Sequence, residues 1–220
     1  MHFEILVEDL SGKKLLDTIV PDIIGSDHSF RVIPYRGVGH LPKGLNSASE
    51  IQGRALLSNL PRLLGGYGNT YRSEANGKAA VIVVCDLDNK CLKAFREELL
   101  QMLSACRQKP VTRFCIAVEE MEAWLLGDQL AVKKAYPKAR NDILGSYEND
   151  SICDTWEKLA DAVFPGGSRR LKTQPWHEIG LQKNDWAAKI SAFMKVDNNK
   201  SPSFAYFKKQ LQTLATGENS

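Results

Sequence analysis

The chain has 220 residues, of which 43% are hydrophobic and 25% charged, with a formal net charge of +3. This is an ordinary globular balance, large enough for one domain or one domain with an appendage, and it excludes a disordered, collagenous or membrane-spanning class. The charge is too mild to argue a nucleic-acid partner by itself. The five cysteines are odd in number and form no C-x-x-C, which predicts free thiols in a reducing cytosol rather than a disulfide framework or a zinc site. The N-terminus begins on a strand pattern and no apolar run reaches the length of a membrane helix, so the expectation is a cytoplasmic chain with no signal peptide and no membrane span.

His2 to Val7 reads as a first strand ending at Glu8 and Asp9. Leu15, Leu16, Ile19, Val20 and Ile23 then give one apolar helical face, with Ser11 as the expected cap and Pro21 as a bend or break. Phe30 to Tyr35 is a short second strand, followed by a glycine-rich stretch from Arg36 to Gly44. That stretch closes no G-K-[ST] and contains no G-x-G-x-x-G. Arg36, His40 and Lys43 there are either phosphate contacts or part of a plain connection. Glu50 to Leu64 has a helical face with Pro61 late in it, and Gly65, Gly66 and Gly68 are expected to end it.

Ala79 to Asp88, A-A-V-I-V-V-C-D-L-D, is the stretch on which the reading turns. Its β-branched run is continuous rather than alternating, which predicts a strand buried on both faces. If the chain stays extended, Asp86 and Asp88 lie on one side of it. Paired carboxylates beyond the carboxyl end of such a strand fit a divalent cation, although capping of the next helix is the blander account. Asn89 to Arg107 is the clearest amphipathic helix, and Arg113 to Val118 another buried strand, so a βαβ unit and a mostly parallel sheet are expected. This strand also runs into acids, Glu119, Glu120 and Glu122. If helical, Glu119 and Glu122 share a face, where they either meet a cation or favour the helix dipole.

Residues 129–220 read as a helical extension packed on a core of residues 1–128. Asp154 to Phe164 is a short helix, Gly166 to Lys172 a basic loop, Lys189 to Met194 helical, and Ser203 the cap of a last helix. Arg62, Arg169, Arg170 and Lys172, with Lys43, form a candidate nucleic-acid contact set, against a plainly solvated face. His177 reads as structural.

Repetition is the informative feature. Three apolar strands each run into carboxylates: Glu8, then Asp86 and Asp88, then Glu119, Glu120 and Glu122. In a parallel sheet these ends share one edge, and their convergence is costly without Mg²⁺ or Mn²⁺. With hard-ion ligands and no competing Ser-His-Asp or Cys-His set, the expected chemistry is attack of metal-activated water on a phosphodiester.

The motifs I-L-V-E-D-L-S (Ile5 to Ser11), L-P-R-L-L-G-G-Y (Leu60 to Tyr67), V-V-C-D-L-D-N (Val83 to Asn89), I-A-V-E-E-M-E-A-W-L-L-G-D (Ile116 to Asp128) and N-K-S-P-S-F (Asn199 to Phe204) carry a resemblance. The first strand's Glu and the later D-x-D resemble the Toprim domain of topoisomerases, primases and OLD-type nucleases. The whole set resembles the Toprim-like family called domain of unknown function 4276, over most of the chain. The resemblance implies a Rossmann-like α/β core and a metal-dependent endonuclease. Glu8 would be a metal ligand or general base, Asp86 and Asp88 Mg²⁺ ligands, and Glu122 would complete the site. Glu119 and Asp128 would be secondary candidates. It also implies nucleic acid as substrate and an ATPase partner in bacterial anti-phage defence. Asp9-Leu10 departs from the usual glycine after the first Glu, which loses the tighter turn that glycine allows. The alternatives are a non-catalytic Toprim-like binding subunit and a D-x-D phosphohydrolase or glycosyltransferase.

Overall fold

Four apolar strands build one parallel sheet in the computed structural model, which describes residues 1–37, 39, 41, 55–72, 78–151 and 154–217. They are β1 (His2–Val7), β2 (Ser29–Pro34), β3 (Ala79–Asp86) and β4 (Val111–Ala117), in the order β2-β1-β3-β4. Every pairing is parallel, so the fold is α/β and Rossmann-like, with all four carboxyl ends on one edge. Val7 pairs with Pro34 and Val84, and Asp86 with Ala117, which sets the acid-bearing ends of β1, β3 and β4 side by side.

The period-two alternation of β1 and β3 divides the core between the two faces. Phe3, Ile5, Val7, Ala80, Ile82 and Val84 point to one side, against Leu15, Leu16, Ile19 and Val20 of α1 (Leu10–Ile24). Leu6, Val81, Val83 and Cys85 point to the other, against α2 (Leu56–Thr70) and α3 (Leu92–Ala105). Both faces being covered explains why these strands read as unbroken apolar runs.

After β4 the described chain is helical: α4 (Glu122–Leu126), α5 (Gln129–Ala135), α6 (Asn141–Gly145), α7 (Thr155–Val163), α8 (Gly167–Leu171), α9 (Trp176–Ser191) and α10 (Pro202–Thr216). α9 packs on α1, and α10 on β4 and α1. One apolar cluster runs from Phe3 and Leu16 through Trp124 to Trp186 and Phe207, so it crosses residue 128 without a break. Among the described residues no helix is long and apolar enough to cross a membrane. Cys85, Cys91, Cys106 and Cys115 are free thiols.

Several boundaries differ from the sequence expectation, each for a local reason. Asp9, not Ser11, caps α1: its Oδ1 accepts from the Gly12 N–H at 2.7 Å, and the Ser11 hydroxyl donates to its Oδ2 at 2.7 Å. Pro21 is carried inside α1 without ending it. The glycines at 65, 66 and 68 do not stop α2, which continues to Thr70. Gly68 is needed there, since a Cβ would come within 2.6 Å of the Gln108 backbone. The basic Gly166–Lys172 stretch is not a loop but contains the short helix α8, and Lys189 belongs to a longer helix that starts at Trp176. Ser201 caps α10, accepting from the Phe204 N–H at 3.1 Å. Ser203 instead accepts the Trp124 indole N–H at 2.8 Å. The glycine-rich stretch with His40 and Lys43 lies largely outside the described residues.

Candidate metal centre

The acidic edge is assembled from three chain turns. At the first, Asp9 has extended backbone (φ −146°, ψ −177°) and α1 starts directly after it. No left-handed residue is required there, so the absence of glycine at Asp9-Leu10 costs the turn nothing. The close approach falls instead on Gly12, where a Cβ would lie 2.6 Å from Val7 Cγ2. Glu8 is thereby held beside β3, with its Oε2 3.5 Å from the Asp86 N–H, which donates to it.

At the second turn, Asp86 is the last residue of β3, whereas Asp88 has left the strand in the left-handed region (φ 50°). The extended-chain argument for a shared side therefore does not apply to this pair. The Leu87 N–H donates to Ala117 O and the Asp88 N–H to Glu119 O, both at 2.9 Å, so this turn is knitted to the end of β4. The Asp88 carboxylate is half open to solvent and pairs with Lys90 Nζ at 3.0 Å. The Asp86 carboxylate is different: its Oδ1 is buried and accepts no hydrogen bond.

At the third turn the acids separate. Glu119 takes a positive φ of 62°, and its carboxylate accepts from the Asp154 and Thr155 N–H groups at 2.9 Å and from the Thr155 hydroxyl. It anchors the start of α7, from where its charge still adds to the raising of Glu120. Asp128 is likewise committed, accepting from the Ala131 N–H and the Lys195 N–H, each at 3.0 Å. Glu122, at the start of α4 and 2% exposed, turns toward the sheet edge together with Glu120. Between them comes a residue the sequence did not single out. Lys183, from α9, places its Nζ 3.1 Å from Glu122 Oε2 and 3.6 Å from Glu120 Oε2. No motif surrounds Lys183 in Q-K-N-D; the packing of α9 on α1, α4 and α5 brings it here.

Charge crowding is the dominant electrostatic feature. Burial, then the Glu8 carboxylate, hold Asp86 well above the usual carboxylate range, with Glu122 and Glu120 adding to this and Lys183 opposing it. Burial and Asp88 push Glu8 up to about 7, against the pull of the Asp86 N–H. Burial raises Glu120 to about 7 as well, with Lys183 opposing and Glu122 adding, and it raises Glu122 too. Lys183 loses protonation strength to burial, but Glu122, Glu120, Asp86 and Asp9 more than offset this and keep it above the ordinary lysine range. The edge thus carries Glu8, Asp86, Asp88, Glu120 and Glu122 against Lys183 and the surface Lys90.

Among the described residues no three His, Cys, Asp or Glu side chains form a ready-made metal cage. Mg²⁺ rarely uses such a cage; it is held by one or two carboxylates, keeps several waters and takes further oxygens from substrate phosphates. Glu8 and Asp86 fit that mode. They are all-oxygen donors, they are adjacent, and one Asp86 oxygen is buried without a partner.

The raised carboxyls set a pH dependence. Folded Glu8 and Glu120 hold protons up to about 7, whereas the unfolded groups release them near 4.5. Their contribution to stability is present below about 4.5 and is lost as pH rises to about 7. We expect the metal-free chain to lose unfolding free energy across that interval, on the order of 3 kcal/mol for each of the two groups at about 1.4 kcal/mol per pKa unit. Urea titrations at a series of pH values would show it, and added Mg²⁺ should flatten the loss; a stability that rises through this window would contradict the assignment.

Arg62 is exposed on α2, within 3.4 Å of Asn59 Oδ1, and Arg169 and Arg170 are exposed on α8. Lys172 is engaged locally, 2.8 Å from Glu157 and over the Trp156 ring. Lys43 lies outside the described residues. His177 is on the exposed part of α9, 3.5 Å from Glu178, away from the acid cluster.

These features define an all-parallel α/β protein with a crowded acidic edge at the carboxyl ends of its strands. Comparison of the chain with protein-family models, with curated proteins and with solved structures gives no significant match.

Proposed function

We propose that this chain is a Toprim-like, Mg²⁺- or Mn²⁺-dependent endonuclease that hydrolyses phosphodiester bonds of nucleic acid. The observation that carries the reading is the pairing of Glu8 with Asp86, whose Oδ1 is buried and unpartnered, at the carboxyl edge of a parallel sheet. Glu8 and Asp86 would hold the cation, with Asp88 next to them in the more open position. When bound, the cation supplies polarisation of a phosphoryl oxygen and a water acidic enough to attack near neutral pH. The Asp86 N–H orients the Glu8 carboxylate. Burial of Asp86 and Glu122 keeps water from screening these charges. By resemblance, the setting would be a cytoplasmic anti-phage system with an ATPase partner, with the exposed arginines Arg169 and Arg170 meeting the nucleic-acid backbone.

The experiment is incubation of the purified chain with supercoiled plasmid, single-stranded DNA and RNA, with Mg²⁺, Mn²⁺ or EDTA. Cleavage should require the metal and fall more than about a hundredfold in Glu8→Ala and in Asp86→Ala. Cleavage that survives EDTA, or a chain that neither cleaves nor binds Mn²⁺, defeats the proposal. A non-catalytic binding subunit is the second reading. Lys183 favours it, because an internal cation already neutralises part of the edge; Mn²⁺ binding by the wild-type chain would count against it.

A further inference from the structure

Resting on the metal-dependent reading above, we infer that Lys183 is the chain's own second cation, so that this edge takes one divalent ion, at Glu8 and Asp86, and not two. The acids fall into two groups. Glu8 and Asp86 come from the ends of β1 and β3, and the contact between them is a single long hydrogen bond of 3.5 Å. Glu120 and Glu122 come from the turn after β4, and Lys183 lies against both. Its side chain is 19% exposed and that of Glu122 2%, so Glu122 is withdrawn from water and Lys183 partly so.

An ammonium 3.1 Å from Glu122 Oε2 stands where a second ion would have to bind. A Mg²⁺ ion needs carboxylate oxygens at about 2.0–2.1 Å, and two-metal sites set their ions about 3.5–4 Å apart. With the ammonium already at Glu122 Oε2, a second ion there would sit directly against a like charge. To reach Glu120 and Glu122 a divalent ion would have to expel Lys183, and a buried ammonium without its partners is strongly unfavourable. α9 is not free to withdraw it, because Trp186, Ala187 and Ile190 on the same helix are buried in the core against α1. Lys183 also acts at a distance on Asp86, lowering the cost of its negative charge. It is therefore a positioning residue: it fixes Glu120 and Glu122 and supplies one of the positive charges the edge requires.

Mn²⁺ binding counted by electron paramagnetic resonance and calorimetry tests this without reference to cleavage. The wild-type chain and Lys183→Arg should each bind one Mn²⁺ per chain. Lys183→Met, shown to be folded by its thermal transition, should bind two. Two ions on the wild type would overturn the inference while leaving the metal-dependent reading intact, and so would a folded Lys183→Met that still binds one. If Lys183→Met does not fold, Glu120→Gln decides: the count should stay at one, with affinity within threefold of wild type, and a tenfold loss would make Glu120 a metal ligand and overturn the assignment. No Mn²⁺ on the wild type would bring down the metal reading itself.

Discussion

Asp86→Asn is expected to raise the stability of the metal-free chain while removing its divalent-cation binding. Asp86 sits at the end of β3 with Oδ1 buried and unpaired, and burial together with Glu8 holds it well above the ordinary carboxylate range. Such a group favours folding only while it keeps its proton, and its contribution is lost as pH rises through the folded value. Asparagine is close in shape and never acquires the charge. At alkaline pH, once the wild-type carboxyl is ionised, the variant should therefore be more stable than wild type by ~1–2 kcal/mol, the usual gain when a strained functional position is relaxed. The difference should shrink as pH falls and the wild-type carboxyl takes up its proton. Saturating Mg²⁺ should reverse the order, because it binds and stabilises only the folded wild type. Thermal melts of both proteins with and without Mg²⁺ check this. Equal stabilities at alkaline pH without metal, or equal responses to Mg²⁺, would remove Asp86 from the centre of the site.

The second large effect concerns Trp124. It is fully buried on α4, stacked on Phe207 with centroids 5.0 Å apart and edge-on to Phe204 at 5.5 Å. Its indole N–H donates to Ser203 Oγ at 2.8 Å, and its backbone oxygen accepts from Asn199 Nδ2 at 2.7 Å. Asp150 closes the arrangement, accepting from the Ser201 hydroxyl and the Ser203 N–H at 2.6 Å each. Trp124→Ala removes the ring from a packed core and should cost about 3–5 kcal/mol. For a chain of this size that is a fall in melting temperature on the order of 10 °C. Trp124→Phe keeps most of the packing and loses the hydrogen bond, so about 1–2 kcal/mol is expected. Calorimetric melts of the two variants separate the contributions; a Trp124→Ala melt within a degree or two of wild type would show that this junction does not hold α10 to the core.

That junction also shows what the distinctive short motifs mean physically. E-A-W-L-L-G-D and N-K-S-P-S-F are far apart in sequence, yet their tryptophan, asparagine and serine satisfy one another, with Asp150 from outside both motifs closing the unit. Gly127 is part of it, since a Cβ there would come within 2.1 Å of Asn199 Oδ1. Of the acids from Glu119 to Asp128, Glu122 faces the sheet edge, while Glu119 and Asp128 cap or anchor helices. The letters alone did not separate these roles. A carboxylate preceding a helix is as well suited to capping as to metal binding, and which it does depends on which N–H groups the fold presents to it.

By itself the sequence determined the parallel sheet, the burial of both its faces and the gathering of Glu8, Asp86 and Glu122 toward one edge. These follow from local physics: unbroken β-branched runs need cover on both sides, the βαβ spacing requires parallel pairing, and parallel strands put their ends together. Only the tertiary structure decided that Asp88 turns out of the strand toward Lys90, that Glu119 leaves the edge for α7, and that Lys183 enters it. Those outcomes depend on where α7 and α9 dock, and docking is fixed by apolar contacts distant in the chain, for which neither spacing nor motif leaves a signal around Lys183.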